Sequence, residues 1–266
     1  MGEVILLTSG KGGVGKTSLV ASIGAALADE GKKVLLVDMD FGLRNLDIVT
    51  GMENFIFNNA LDVIKEKCSI KDAALESKNI EGLYILPAPQ TKGDDSITDE
   101  EFNSFICSVK EDFDYIIIDC PSGTGQGFYN IINSADKVIV VTTPEVFAVR
   151  DADKVISILK SKRIFNIYVL INRLRTDIKA KDILMSVDDV MEILPADLIG
   201  VIPEDYNAYM LINHGEPFNR SKSPSGTCLN KIVERLLGED IPFTQFGHSE
   251  GFFSKFSHIF KRKEKR

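Results

Sequence analysis

Residues 9–17 read Ser-Gly-Lys-Gly-Gly-Val-Gly-Lys-Thr, with four glycines in nine positions. Before them runs Val4-Ile5-Leu6-Leu7-Thr8, short and apolar, a pattern that predicts a buried strand. After them Leu19, Val20, Ile23 and Leu27 recur at helical spacing until Gly31. Strand, glycine-rich turn, helix is the frame of a phosphate-binding loop. The glycines let backbone N–H groups close around an anion, and the helix N-terminus adds partial positive charge. The pattern GxxxxGK[ST] is met at Gly10, Gly15, Lys16 and Thr17. Lys16 supplies a point charge for the β- and γ-phosphates, and the Thr17 hydroxyl is a ligand for Mg²⁺. Gly12, Gly13, Val14 and Ser18 complete the expected binding set.

The same residues also satisfy GxGxxG, and Asp38 closes the next apolar run where a ribose-binding acid would stand. Two features decide against a dinucleotide. Lys16-Thr17 has no purpose under a pyrophosphate-binding helix. A further strand ending in an acid, Tyr115-Ile116-Ile117-Ile118-Asp119, supplies the carboxylate that a triphosphate site needs near its Mg²⁺.

Apolar runs of strand length alternate with helical stretches along the chain, which predicts an α/β fold with a mostly parallel central sheet and helices on both faces. Strands are expected at 3–8, 33–38, 83–87, 115–119, 137–142, 167–171 and 198–202. Helices are expected near 16–30, 58–66, 70–75, 98–111, 126–133, 148–162, 186–194, 204–213 and 225–237, with Glu216 to Gly226 as a loop. One nucleotide-binding domain over 1–237, a polar linker over 238–250 and a tail over 251–266 account for all 266 residues. The 44% hydrophobic and 26% charged content is ordinary for a globular chain. No apolar run reaches the ~20 residues of a membrane span. The cysteines at 68, 107, 120 and 228 lack metal-ligand spacing, so a reduced cytoplasmic setting is expected.

Two carboxylates, Asp38 and Asp40, sit one residue apart where the second strand meets its loop. In a triphosphate site one serves the metal shell while the other orients the attacking water.

The chain carries a net −8, yet residues 251–266 hold six basic residues against Glu264, a net of +5, leaving −13 on the rest. In that tail Phe252, Phe253, Phe256, Ile259 and Phe260 fall on one helical stripe, with Lys255, Lys261 and Arg262 off it. An amphipathic helix with a basic end suits an anionic lipid surface. Each bulky side chain gains at most ~1.5–3 kcal/mol on full burial. Ordering the residues costs ~1 kcal/mol or more apiece, so one tail is near balance. Two tails on one dimer gain ~10²–10⁴ in avidity.

GKGGVGKT, with lysine as its second residue, resembles the deviant Walker A motif of the ATPases related to MinD, ParA and the nitrogenase iron protein. DMDFGLRNLD at 38–47, LYILPA at 83–88, TPEVFAVRDADKV at 143–155, VIPED at 201–205 and ERLLGE at 234–239 are similar to the MinD branch. The resemblance covers essentially the whole chain. It implies a P-loop NTPase fold of the SIMIBI type and slow ATP hydrolysis, with ATP and Mg²⁺ bound between two copies of the chain. By the same resemblance, Lys11 reaches the partner's phosphates and Asp40 positions water, with Asp40 a further candidate for the metal shell. Asp119 holds Mg²⁺ through water and opens the second switch. Asn172 hydrogen-bonds adenine, Pro203-Glu204-Asp205 closes over the base, and Arg150 and Asp151 lie on a partner-contacting surface.

The family's second switch usually continues PAGIE, whereas Pro121-Ser122-Gly123-Thr124-Gly125 stands here. The missing acid and added glycine are expected to loosen that loop.

The implied function is placement of the bacterial division site. The homodimer would recruit MinC, the inhibitor of FtsZ assembly, and be localised by MinE or a DivIVA-linked factor. It would be cytoplasmic, and peripheral on the inner face of the membrane when ATP-bound. The alternatives within the superfamily are a ParA-like DNA-partitioning ATPase and a flagellar-number ATPase. An acidic body with a Phe-rich tail argues against nucleic acid. The flagellar branch carries an extra N-terminal motif, for which a first strand at residue 3 leaves no room.

Overall fold

The apolar runs of this chain are continuous rather than alternating because its strands are buried on both faces. In the first strand Val4 and Leu6 point into one core while Ile5 and Leu7 point into the other. The computed structural model describes residues 1–41, 43–52, 58–89, 97–175 and 184–244. Its strands are β1 (Glu3–Thr8), β2 (Val34–Asp38), β3 (Leu75–Glu76), β4 (Leu83–Leu86), β5 (Tyr115–Asp119), β6 (Lys137–Thr142), β7 (Ile167–Leu174) and β8 (Asp197–Pro203). They form one sheet in the order β3-β4-β2-β5-β1-β6-β7-β8, parallel except where the two-residue β3 pairs antiparallel with β4. Placing β1 between β5 and β6 brings the ends of β1, β2 and β5 side by side. That edge is where open parallel sheets bind ligands.

The helices are α1 (Lys16–Asp29), α2 (Leu46–Val49), α3 (Ala60–Ile64), α4 (Ile70–Ala73), α5 (Asp99–Val109), α6 (Gln126–Tyr129), α7 (Val146–Ser161), α8 (Val187–Ile193), α9 (Tyr206–Asn213) and α10 (Pro224–Leu236). α1 and α10 fill one core with residues such as Leu19, Ile23, Leu229 and Ile232. α5, α7 and α8 fill the other with Phe102, Ile106, Val155, Ile156 and Val190. α5 starts on a reciprocal cap: Glu101 N–H donates to Thr98 Oγ1 at 3.2 Å, and Thr98 N–H donates to Glu101 Oε2 at 2.9 Å.

The seven expected strands are present, with β7 running on to Leu174. Four local expectations are corrected. The helix expected over 70–75 stops at Ala73, and Leu75–Glu76 becomes the edge strand. The helix expected over 126–133 divides into α6 and a 3₁₀ turn at Ile132–Ser134. α2 was not anticipated. The loop expected from Glu216 to Gly226 holds a 3₁₀ turn at Phe218–Arg220, and α10 already begins at Pro224. Pro224 follows the N-cap Ser223, the one helical position where a missing N–H costs nothing.

Beyond α10 the chain is tied back. The buried Arg235 guanidinium donates to Ile199 O at 3.0 Å, Ile241 O at 3.0 Å and Pro242 O at 2.9 Å. It also lies 4.3 Å from the centre of the Phe243 ring. The proposed tail, with Phe252, Phe253, Lys255, Phe256, Ile259, Phe260, Lys261 and Arg262, lies outside the described residues. Among the described residues no helix is long and apolar enough to cross a membrane.

Candidate functional site

The loop between β1 and α1 is held by contacts that tolerate no side chain at two of its glycines. A Cβ on Gly10 would lie 2.4 Å from the Asp151 carbonyl carbon, so the loop rests directly on the backbone of α7. Gly15 has a φ of 90°, and a Cβ there would meet Asn172 Nδ2 at 2.5 Å. Asn172, buried in β7, donates to Val14 O at 2.8 Å and so straps the loop to the sheet. Gly12, Gly13, Val14, Lys16, Thr17 and Ser18 line a cavity of about 310 Å³ at the α1 N-terminus. The first-turn N–H groups of α1 point out of a helix end with no side-chain cap, an arrangement suited to an anion.

Lys16 is buried and paired through its ammonium with Asp119 Oδ1, at the end of β5. The other oxygen, Asp119 Oδ2, is buried without a protein partner. Asp38 lies directly beside Asp119 across the β2–β5 ladder. It accepts from Asp40 N at 2.9 Å and Leu46 N at 3.2 Å. Burial pushes the Asp38 pKa up to about 7, and the neighbouring Asp119 charge adds to this against those two backbone bonds. The two loop acids therefore divide their work. Asp38 is enclosed and fixes the turn into α2, while the half-buried Asp40 faces the cavity. Cys120, next along, is fully buried, and burial raises its thiol to about 12, so it is not a thiolate at neutral pH.

The donor set fits a hard divalent cation. Thr17 and Asp40 line the cavity, and Asp119 presents a buried unsatisfied oxygen. These are the oxygen ligands that Mg²⁺ prefers.

Lys11 is exposed on the outer side of the loop, where its ammonium donates to Glu145 Oε2 at 2.9 Å. Glu145 is the N-cap residue of α7, and beyond it Val146 and Phe147 are 60% and 74% exposed, large for apolar side chains. Arg150 is exposed on the same helix, and Asp151 is half-buried with Lys154 at 3.2 Å. In the second switch, Gly123 N–H donates to Ser9 O at 2.8 Å, so this loop is attached to the first residue of the glycine-rich turn.

A second cavity, of about 500 Å³, adjoins the first. Asn172, Pro203, Glu204 and Asp205 all line it, so the residues expected to hold a base come together. Asp205 is also structural. Its Oδ1 accepts from Asn207 N at 2.9 Å to cap α9, and its Oδ2 accepts from Ser225 Oγ at 2.7 Å. Burial alone would raise its pKa, but hydrogen bonds from Ser223, Ser225 and the Asn207 and Ser225 backbone carry it below the usual carboxylate range. Glu204 N–H donates to Leu174 O at 2.9 Å, fixing the turn after β8.

Sequence reasoning missed Glu145, Arg173 and the α9 tyrosines. Glu145 was invisible because its partner Lys11 lies 134 positions away. Tyr206 and Tyr209 belong to a helix with no buried residue, and both face the base cavity. The signal for Arg173 was its place directly after Asn172.

A family model described as an AAA domain matches residues 2–169. The septum site-determining protein MinD of Synechocystis sp. is 45% identical over 248 residues, covering 92% of this chain and 93% of that one. The MinC:MinD cell division protein complex of Aquifex aeolicus aligns at a TM-score of 0.85 and 41% identity, over 92% of this chain and 100% of that one. The Pyrococcus horikoshii MinD complexed with Mg-ADP aligns at 0.78 and 28% identity, over 89% and 96%.

Proposed function

The chain belongs to the MinD family of septum site-determining proteins, and from that premise we propose that it is an ATP-hydrolysing, dimerising switch that docks on the membrane to place the division site. The observation that carries this reading is the buried Lys16–Asp119 pair, with one Asp119 oxygen left unsatisfied and Lys16 lining the same cavity as Thr17. A buried cation and anion held together at the foot of the glycine-rich loop form a site ready to accept a phosphate chain and its metal, each taking over one partner of the pair. Thr17, and Asp119 through water, would hold Mg²⁺, which would supply the positive charge that offsets what builds on the phosphates. Lys16 and the α1 N-terminus bind the β- and γ-phosphates, and Asp40 orients water toward the outermost one. Asn172 and Pro203-Glu204-Asp205 hold the adenine.

Lys11 completes the site of a second copy. Its ion pair with Glu145 is exposed, and such pairs contribute only ~0–1 kcal/mol, so it exchanges readily for a partner's phosphates. Dimerisation then brings two tails to one anionic surface, and hydrolysis releases them. MinC is the proposed partner on the dimer, in keeping with the Aquifex aeolicus MinC:MinD complex, and Arg150 and Asp151 are proposed for its surface. MinE or a DivIVA-linked factor is proposed to localise it.

Sedimentation with vesicles containing anionic phospholipid tests the switch, using the full chain and a chain ending at Glu250, each in ATP and in ADP. Pelleting of the full chain in ATP alone is expected. Equal pelleting in both nucleotides, or pelleting of the shortened chain, overturns the reading.

A further inference from the structure

The two cavities of the site share three residues, Gly15, Ser18 and Arg173. Gly15 and Ser18 belong to the glycine-rich loop and its helix. Arg173 comes from β7, on the far side of the seam, and is the shared residue with a full positive charge.

Its backbone is held in an unusual state. Arg173 has a φ of 55°, in the left-handed region that costs a residue with a Cβ ~1–2 kcal/mol. The β7–β8 register slips at the same place, between Ile171 and Leu174. The neighbours on either side hold the kink. Asn172 is bonded to Val14 O, and Leu174 O accepts from Glu204 N. Backbone strain kept in place by its surroundings is common where a side chain must be aimed. Here the side chain runs toward the loop: Arg173 Nε lies 4.0 Å from where a Cβ on Gly15 would sit.

The guanidinium is exposed, and it has no carboxylate partner among the described residues. Other arginines nearby are committed. Arg44 is paired with Asp47 at 2.8 Å, and Arg175 lies 3.5 Å from Glu204. A cation at the boundary between a base cavity and a β,γ-phosphate cavity faces the part of the ligand that joins them.

From this geometry we infer that Arg173 is a nucleotide clamp, its guanidinium pairing with the α-phosphate of the bound nucleoside di- or triphosphate. The inference rests on the nucleotide site proposed above and assigns the charge that site lacks at its middle. A planar guanidinium offers two parallel N–H bonds to phosphate oxygens, which a lysine cannot reproduce. Because ATP and ADP both carry the α-phosphate, the clamp binds them equally. It tightens binding without favouring the transition state, so KM responds and kcat does not.

The test uses Arg173→Asn, since asparagine tolerates the left-handed backbone while losing the charge, together with Arg173→Lys. Affinities for MgATP, MgADP and inorganic tripolyphosphate are measured by calorimetry on the full chain, with thermal melting to confirm folding. Arg173→Asn is expected to weaken MgATP, MgADP and tripolyphosphate, which carries a phosphate in the α position, by a similar factor of about 10- to 100-fold. Arg173→Lys is expected to recover part of the loss. Unchanged nucleotide affinity, a loss confined to ATP, or a loss on nucleotides that spares tripolyphosphate overturns the clamp, while wild-type binding keeps the ATP site. Failure of the wild type to bind MgATP overturns both.

Discussion

Most of the phosphate end of the site comes from one stretch, residues 9–18, completed by Asp40 and Asp119, whereas the base end is assembled from β7, the turn after β8, and α9. The phosphate end is dense: a buried ion pair, Gly10 against the Asp151 backbone, Gly15 against the Asn172 side chain, and the strap from that side chain to Val14. The base end is looser. Its wall includes α9, a helix with no buried residue, and Asp205 holds that helix with one cap and a bond to Ser225. The lesson is a division of labour. On the function proposed above, the contiguous end recognises what every nucleotide shares, and the assembled end, with fewer buried contacts, recognises the base.

Three substitutions break or sharpen that contrast. Lys16→Ala has the largest expected effect, because it strands Asp119 as a buried, unpaired charge. Urea denaturation is expected to show a loss of about 3–5 kcal/mol, with nucleotide binding abolished. A variant as stable as the wild type would remove the claim that the phosphate end is a structural keystone. Asp205→Ala comes next. Losing a side-chain cap costs about 1 kcal/mol, and the same change frees α9, so discrimination between ATP and GTP is expected to fall while tripolyphosphate binding stays. Loss of tripolyphosphate binding would show that the two ends are not separable. Lys11→Ala should change stability least, within about 0.5 kcal/mol, since its ion pair is exposed. The monomer is expected to bind nucleotide normally, while ATP-dependent dimerisation and turnover are lost. An unchanged hydrolysis rate sinks the role of Lys11 on the partner's phosphates.

The same contrast explains what could be read in advance. Strand–loop–helix at 3–29 was legible because period, glycine spacing and Lys16-Thr17 all lie in one stretch. The sheet was legible because β1, β2, β5 and β6 are continuous apolar runs, buried on both faces. The two-residue β3 was not, since Leu75–Glu76 is too short to show a period and follows directly on a helical turn. Nor was the early start of α10, because Pro224 reads as a loop residue unless its place just after the cap Ser223 is known. In the site, Asp38 and Asp40 looked interchangeable by spacing. Only the ladder that sets Asp38 beside Asp119 separates the enclosed acid from the one facing the cavity. Arg173 stood next to the legible Asn172, but the left-handed backbone that aims it, at a residue other than glycine, has no sequence signature.

Arg235 has a last consequence, for geometry rather than chemistry. By gripping the carbonyls of Ile241 and Pro242 under the Phe243 ring, it works as a cleat that fixes where the rope leaves the hull. Only residues 244–250 separate that fixed point from Gly251, and seven residues pay out at most about 25 Å. If the tail proposed above anchors the chain, so short a mooring line turns the α10 side toward the bilayer and leaves the opposite flank to the cell interior.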